Sequence, residues 1–334
     1  MTIENLFLDI KEEYGDIVFI TDDNIYKLYN YLFKDNKIIV IPPGEDNKDL
    51  NTVISIYDQL IEYEVSKNTM IVGVGGGIVT DITGFVATTY LRGVRFGFVS
   101  TTLLGIVDAS IGGKNGVNFY NYKNIIGTIK KPEFIYWNID FLKTLPEREL
   151  HAGFGEILKY AIGFDKELFD ILLKFSYNEL INDKEAFYSV INRCIEIKKK
   201  IITQDLQEKN IRRKLNLGHT IAHAIEKHTH EIVHGEAVGI GLYVMAFYSG
   251  TENKIELPIL SDILKLLKKY DLSYENKYDY KELLRDCIDN IKCDKKKTDS
   301  KTIDIVVITD YGKCDIESID IDVFKKTLKE IFLY

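Results

Sequence analysis

The histidines of this chain are concentrated in one short stretch. Five of the six lie within 16 residues: His219, His223, His228, His230 and His234. His219 and His223 are four residues apart on a predicted helix, so their rings share one face, a spacing compatible with a single metal ion. Glu156, on a separate predicted helix, could complete the two-histidine, one-carboxylate set of a catalytic zinc site. Two ordinary surface histidines would have the same spacing, so the spacing alone leaves open whether they bind a metal.

A glycine-rich loop indicates a second kind of chemistry. The sequence GVGGGIVTDITGF occupies residues 73–85 and follows a β-rich run. Consecutive glycines allow backbone N–H groups to approach an anion closely, and the following helix points its positive end at the same place. A pyrophosphate would fit such a loop. Gly75, Gly76 and Gly77 do not have the GxGxxG spacing of dinucleotide-binding proteins, so a tight turn without a ligand is the alternative.

The stretch from residue 99 to 127 is unusually polar for a segment that also contains apolar runs. Its polar residues lie among glycines and are Thr101, Thr102, Asp108, Lys114, Lys123 and Asn124. Asp108 falls inside an apolar run, where an unpaired carboxylate is costly, so we expect it to have a partner. Residues 71–142 contain four acidic and six basic residues. This local positive charge favours an anion-binding site over a solvated loop.

Two lysines occupy unusual positions on predicted helices. Lys198 lies within the apolar stripe of its helix, where it must either extend to the surface or meet an anion. Lys159 follows Glu156 by three residues and shares its helix face, which is also the spacing of an ordinary helix ion pair. Taken alone, these positions favour extension of Lys198 to the surface and leave an ordinary ion pair open for Lys159.

The elements that must position these residues divide the chain into two parts. Short β-rich runs at residues 16–20, 37–41 and 69–77 alternate with helical patterns such as residues 50–63, which predicts a parallel sheet with helices on both faces. After residue 143, long amphipathic patterns dominate, the clearest of them at 147–162, 187–202, 217–227, 237–248 and 257–270. We therefore predict an α/β domain over residues 1–142 and a mostly α-helical domain over 143–334, with a cleft between them.

The composition excludes several classes of protein. Of the 334 residues, 46% are hydrophobic and 28% are charged, the balance of a globular protein with a large core. The net charge of -8 argues against a general nucleic-acid-binding surface. Residues 1–70 contain 14 acidic and 6 basic residues, so they account for the whole acidic excess. Scattered cysteines, no signal-like N-terminus and no apolar run of about 18 residues predict a cytoplasmic protein outside the membrane.

Several blocks taken together resemble the 3-dehydroquinate synthase family of sugar phosphate cyclases. They run in the same order as in that family, from residue 42 to residue 296, and many blocks in order are far more specific than any one alone. The main ones are PPGEDNK, GGGIVTDITGF, STTLLGIVDASIGGKNGVN, KNIIG, LKTLPEREL, GFGEILKY, RRKLNLGHTIAHAIE and HGEAVGIG.

This resemblance implies a Rossmann-like N-terminal domain that binds NAD and a helical C-terminal domain that binds a divalent metal, usually Zn²⁺ with Co²⁺ as an alternative. It assigns the metal to Glu156, His219 and His234, and places His223 on the substrate side. The implied NAD contacts are Asp22, Glu45, Lys48, Gly75, Gly76, Gly77, Asp81, Thr101, Thr102, Lys114, Lys123 and Thr144. The implied substrate and catalytic residues are Asp108, Lys114, Asn124, Lys159, Lys198, Arg212, Asn216, His223 and Lys296.

The reaction implied by the resemblance converts 3-deoxy-D-arabino-heptulosonate 7-phosphate, a phosphorylated sugar acid, into 3-dehydroquinate and phosphate. This step belongs to the shikimate pathway of aromatic amino acid biosynthesis, and the family also implies a homodimer. Three alternatives are a cyclase resembling 2-deoxy-scyllo-inosose synthase, a metal-dependent alcohol or glycerol dehydrogenase, and a non-catalytic NAD-binding protein. Arg212 and Asn216 argue against the first, the many cations against the second, and the metal set against the third.

Overall fold

The computed structural model describes residues 2–120, 122–229, 231–272, 280–291 and 301–333. The chain divides into two compact units, Met1–Leu150 and His151–Tyr334. Each unit has its own arrangement of helices and strands, so each is described by itself. Lys296, one of the expected substrate residues, lies outside the described residues.

A parallel sheet forms the centre of the first unit. Among the described residues its strand order is β2-β1-β3-β4-β7, and every neighbouring pair is parallel. The strands of this unit are β1 (Ile17–Asp22), β2 (Lys37–Ile41), β3 (Met70–Gly75), β4 (Arg95–Ser100), β5 (Lys114–Phe119), β6 (Tyr122–Ile129) and β7 (Ile135–Trp137). Its helices are α1 (Ile3–Tyr14), α2 (Asp23–Tyr29), α3 (Leu50–Glu62) and α4 (Gly77–Thr89). The parallel α/β fold predicted from the sequence is confirmed.

Both faces of the sheet are covered, because successive side chains of a strand point to opposite faces. Val18 and Ile20 of β1 belong to the apolar cluster that includes residues of α3 and α4. Phe19, between them, belongs to the opposite cluster with residues of α1. Burial on both faces explains why the strands read as continuous apolar runs rather than as alternating ones.

The strand order reverses direction between β1 and β3. The chain moves outward from β1 to β2, returns to β3 on the other side of β1, and then continues through β4 to β7. In such sheets, ligands bind beyond the carboxyl ends of the strands at this switch point. Asp22 ends β1 and the glycine loop follows β3, so the sheet brings these two predicted nucleotide-binding segments to one edge.

Strands β5 and β6 form a separate antiparallel hairpin, which was not predicted from the sequence. Its register shifts between Val117 and Phe119. Val117 pairs with Ile126 and Phe119 pairs with Tyr122, so one residue of β5, Asn118, stands opposite residues 123–125 of β6. An irregularity of this kind redirects a side chain away from the ladder.

The second unit is mostly helical, as predicted. Its helices are α5 (Glu147–Phe164), which begins just before the division between the units, α6 (Lys166–Lys174), α7 (Tyr177–Asn182), α8 (Lys184–Gln204), α9 (His219–His228), α10 (His234–Thr251), α11 (Leu257–Lys269), α12 (Tyr280–Asn290) and α13 (Ile321–Phe332). The hairpin of β8 (Thr302–Asp310) and β9 (Lys313–Asp320) was not predicted. Within the described ranges, no helix is long and apolar enough to cross a membrane.

Three helices of this unit touch through glycine backbones. A Cβ atom built on Gly235 of α10 would lie 1.7 Å from the carbonyl oxygen of Ala152 in α5. One built on Gly155 of α5 would lie 2.2 Å from the carbonyl oxygen of Gly235. A third contact joins α10 to the start of α9, since a Cβ on Gly241 would lie 1.9 Å from the Gly218 carbonyl oxygen. The three helix axes are therefore fixed by main-chain contact.

We expect Gly235→Ala to lower the free energy of unfolding by about 1–3 kcal/mol, because the added methyl group must push α10 away from α5. Urea unfolding measures the change. Gly250→Ala, in the same helix, is the control: its Cβ would meet the flexible end of Leu260, whose Cδ2 lies 2.8 Å away. Equal stability of the two variants would contradict the close backbone contact.

Candidate active site

Three metal-donor side chains of the second unit meet at one point. Glu156 lies on α5, whereas His219 and His234 are the first residues of α9 and α10. Glu156 Oε1 is 3.4 Å from His219 Nε2 and 3.1 Å from His234 Nε2. One donor atom from each residue lies within 4.8 Å of the other two. The structure thus brings together the three residues that the resemblance assigns to the metal.

His223 lies beside this cluster but does not belong to it. Its ring centroid is 5.5 Å from that of His219, and its side chain is exposed. The first interpretation of the HxxxH spacing, a metal held by His219 and His223, is therefore not the arrangement of the donor atoms. The place of the second histidine is taken by His234, which the chain reaches after α9 has ended.

The Nδ1 atoms of both histidines in this cluster lie close to hydrogen-bond acceptors. His219 Nδ1 lies 3.1 Å from the carbonyl oxygen of Leu217, and His234 Nδ1 lies 3.4 Å from Glu226 Oε1. A hydrogen on each Nδ1 can be donated to these oxygens, which leaves each Nε2 lone pair directed toward Glu156. Metal-binding histidines commonly have this arrangement. Zn²⁺ or a similar divalent ion fits the donor set.

Glu226 is not among the residues predicted from the sequence. A signal was present, because Glu226 follows His219 by seven residues, or two helical turns, and so lies on the same face of α9. Its side chain is buried. The link to His234, however, joins two helices and depends on how they pack.

Glu156 is fully buried and has a strongly favoured negative charge. Burial alone would raise its pKa, but the nearby cation of Lys159 and the two histidines outweigh burial and hold the pKa well below its usual range. Lys159 forms a close ion pair with this carboxylate and is itself 1% exposed. For His234, burial opposes protonation, but the carboxylates of Glu156 and Glu226 raise its pKa to about 10. Such an excess of negative charge also attracts a metal cation.

Two further predicted substrate residues are buried cations of the second unit. Lys198 lies on α8 and Arg212 lies in the 3-10 turn Ile211–Asn216. Arg212 Nη1 donates to the carbonyl oxygen of Leu206 at 2.6 Å, and its backbone N–H donates to Asp205 Oδ2 at 3.1 Å. Lys198 is buried instead of extending into solvent, so the first of its two predicted alternatives, a surface position, is not the one observed.

Asn216 and Glu208 form a polar pair in the same segment. Asn216 Nδ2 donates to Glu208 Oε1 at 3.1 Å. Asn216 is predicted by the resemblance, whereas Glu208 is not; the Glu208 backbone adopts the left-handed conformation with φ of 56°. The pair holds the Asn216 side chain in a defined orientation.

The glycine loop of the first unit is shaped to receive an anionic group. Gly76 precedes α4, and no side chain caps this helix start. A Cβ on Gly76 would lie 2.8 Å from Thr102 Cγ2, so only glycine leaves room there. The hydroxyl of Thr101 is buried and has no hydrogen-bond partner among the described residues. Uncapped N–H groups and an unsatisfied hydroxyl are the features that a nucleotide would satisfy.

Other predicted NAD contacts lie elsewhere in the first unit. Lys48 is buried and forms an ion pair with Asp81 of α4 at 2.5 Å. Asp22 Oδ1 accepts from the backbone N–H of Ile25, so Asp22 caps α2. Burial raises the pKa of the Asp22 carboxyl. The Thr144 hydroxyl lies 2.7 Å from the Tyr29 hydroxyl.

The remaining predicted residues of the first unit lie in three segments: 105–109, the hairpin β5–β6 and the turn 45–47. Asp108 is half-buried in the one-turn helical segment Gly105–Ala109, which adopts π-helical geometry. The hairpin β5–β6 has the exposed side chains of Lys114, Lys123 and Asn124. Glu45 accepts a 2.9 Å hydrogen bond from Asn118 Nδ2. The individual roles of these residues stay predictions.

Most of the chain matches the sequence patterns of a known family. Residues 38–152 match the family described as 3-dehydroquinate synthase N-terminal, and residues 153–297 match the one described as 3-dehydroquinate synthase C-terminal. The chain belongs to the 3-dehydroquinate synthase family. A relative in this family, the 3-dehydroquinate synthase of Pyrococcus furiosus, is 41% identical over 298 residues, which are 87% of this chain and 84% of the relative.

Solved structures of related cyclases share the fold. One is ValA, the 2-epi-5-epi-valiolone synthase of Streptomyces hygroscopicus with NAD⁺ and Zn²⁺ bound: its TM-score is 0.86 at 25% identity, over 98% of this chain and 93% of that one. Another is 2-deoxy-scyllo-inosose synthase complexed with carbaglucose-6-phosphate, NAD⁺ and Co²⁺. Its TM-score is 0.85 at 25% identity, over 98% of this chain and 94% of that one. The expected fold class is therefore confirmed.

We expect Glu226→Gln to weaken Zn²⁺ binding about tenfold, because a neutral amide orients the His234 ring less firmly and makes its Nε2 less basic. Competition with a chromophoric chelator measures the dissociation constant without any need for activity. Glu252→Gln changes an exposed carboxylate at the end of α10 and serves as the control. Equal Zn²⁺ affinity in both variants would show that Glu226 does not support metal binding.

Proposed function

We propose that this chain catalyses the 3-dehydroquinate synthase reaction, with 3-deoxy-D-arabino-heptulosonate 7-phosphate as substrate and 3-dehydroquinate and phosphate as products. The observation that carries the proposal is the cluster of Glu156, His219 and His234 in a member of this family. The proposed reaction would make the chain a phosphate-eliminating lyase that depends on NAD and a divalent metal.

Each unit would hold one of these cofactors. Glu156, His219 and His234 would hold Zn²⁺ or Co²⁺, and the glycine loop with Thr101 and Thr102 would hold NAD. When bound, the metal supplies a Lewis acid beside a substrate hydroxyl, and NAD supplies a reversible acceptor for its hydride. The neighbours that bind NAD⁺ with Zn²⁺ or Co²⁺ support this assignment.

Buried cations of the second unit are suited to an anionic substrate. Lys159, Lys198 and Arg212 are each less than 7% exposed. Their positive charges can attract a substrate of the opposite sign. The proposed substrate has a carboxylate and a phosphate, and a guanidinium can bind either through two parallel hydrogen bonds. We assign Arg212 to the carboxylate, because the Leu206 carbonyl holds one side of its fork in place.

Three further side chains of the second unit would assist the reaction in different ways. The exposed imidazole of His223 stands next to His219 and can exchange a proton with substrate or solvent. Lys159 faces the Glu156 carboxylate, where its ammonium keeps the carboxylate charged. Asn216, held by Glu208, would present its amide to a substrate hydroxyl.

The main alternatives differ in substrate and in redox balance. A 2-deoxy-scyllo-inosose synthase acts on a sugar phosphate without a carboxylate, for which Arg212 would have no use. An alcohol or glycerol dehydrogenase would form one NADH for each product molecule. The homodimer and the cytoplasmic location expected from the sequence stay predictions.

The deciding experiment incubates the purified protein with the heptulosonate phosphate, catalytic NAD and Zn²⁺. We expect phosphate and 3-dehydroquinate to form in equal amounts while NADH absorbance stays near its starting value, because the hydride returns to the substrate. The matched assay replaces the substrate with glucose 6-phosphate. Turnover of glucose 6-phosphate alone, or NADH equal to product, would overturn the proposal.

A second prediction concerns Arg212→Ala. Loss of a charged hydrogen-bond donor costs about 1.5–3 kcal/mol, so kcat/KM should fall roughly tenfold to a hundredfold. Arg213→Ala is the matched neighbour: Arg213 pairs with Asp304, and its removal should affect stability and leave KM unchanged. Steady-state kinetics separates the two. An Arg212 variant with unchanged kcat/KM would show that this guanidinium does not bind the substrate.

A further inference from the structure

We propose that Asn118 is a positioning residue that connects the predicted NAD-binding segment 45–48 to the predicted substrate residue Asn124. The inference rests on the proposed function, because that function gives the two segments their ligands. Asn118 was not among the residues selected from the sequence. All of the groups involved belong to the first unit.

The first observation is the position of Asn118 in the β5–β6 hairpin. The ladder pairs Val117 with Ile126 and Phe119 with Tyr122, so Asn118 stands at the irregularity between them. Its backbone N–H donates to the carbonyl oxygen of Lys48 at 2.7 Å instead of joining the hairpin ladder. The hairpin is thereby attached to the loop that follows β2.

The second observation is that both ends of the Asn118 amide are used. Its Oδ1 accepts from the backbone N–H of Asn124 at 2.9 Å, and its Nδ2 donates to Glu45 Oε1 at 2.9 Å and to the Glu45 carbonyl oxygen at 3.3 Å. These partners fix the orientation of the amide, since a backbone N–H can only donate and a carboxylate can only accept. One side chain thus bonds to Asn124 and to Glu45 at once.

The third observation is that the two connected segments reach further into the proposed binding sites. Lys48 is 4% exposed, and its ammonium pairs with Asp81 on the helix that follows the glycine loop. Asn124 has φ of 51°, a left-handed conformation that an asparagine adopts more readily when local hydrogen bonds stabilise it. Asn118 supplies such a bond.

It follows that nucleotide and substrate should influence each other through Asn118. A nucleotide that orders Glu45 and Lys48 also fixes the Asn118 amide, and the amide in turn fixes Asn124. Loss of the connection should weaken the binding of both ligands, because Glu45 and Asn124 would each lose a hydrogen bond that positions them. A purely structural role would lower stability and leave the two affinities of the folded protein unchanged.

The test compares the wild type with Asn118→Ala in the metal-loaded protein. We expect the NAD dissociation constant from calorimetry and the KM for the heptulosonate phosphate each to rise about fivefold, with kcat changed less than twofold. Wild-type NAD affinity and KM in this variant would overturn the inference alone. If the wild type bound no NAD and released no phosphate, the proposed function would fail first and the inference with it.

A double-mutant cycle tests the direct pair. Asn118→Asp keeps an acceptor for Asn124 but sets a carboxylate against Glu45, so NAD binding should weaken more than in Asn118→Ala. Adding Glu45→Gln restores a donor and acceptor pair, and the double variant should bind NAD no more weakly than Glu45→Gln alone. Asn68→Asp, with the same change in an exposed turn before β3, should match the wild type. Additive losses in the double variant would refute the pair.

Discussion

The metal-donor cluster depends on main-chain contact between three helices. Each donor follows or precedes a glycine that touches another helix: Gly155 precedes Glu156, Gly218 precedes His219 and Gly235 follows His234. Since the contacts are made by peptide groups, which are rigid, the helix axes have little freedom to slide. The positions of the three donor side chains therefore follow from the packing of α5, α9 and α10.

The cluster also couples metal binding to folding. Glu156 is 63 residues before His219, and His219 is 15 residues before His234, so the unfolded chain has no preformed site. Any metal bound by the folded unit stabilises that unit, because its binding energy is gained only when the helices are in place. In the absence of metal, Lys159 and the two histidines compensate the buried charge of Glu156, so this carboxylate can stay charged in the folded unit.

Much of this architecture could be predicted from the sequence, because it depends on local patterns. The runs that end in Asp22 and Gly75 are continuous and apolar, as strands covered on both faces must be, and the long helices of the second unit show their period clearly. The β8–β9 hairpin was not predicted, although TIDIVVITD is rich in β-branched residues, because helical patterns surround it in the sequence. Spacing alone suggested His223 for the metal, whereas the resemblance named His234. Glu226, Glu208 and Asn118 were missed because their partners lie on other segments, and no local pattern records those contacts.

The two histidines of the cluster are held by different parts of the protein. A backbone carbonyl orients His219, whereas the Glu226 side chain orients His234. Every residue type has the same carbonyl group, so no single exchange at Leu217 removes the acceptor for His219. The acceptor for His234 can be altered by one codon change. Evolution can therefore change the support of His234 by single exchanges at residue 226, while the support of His219 stays constant.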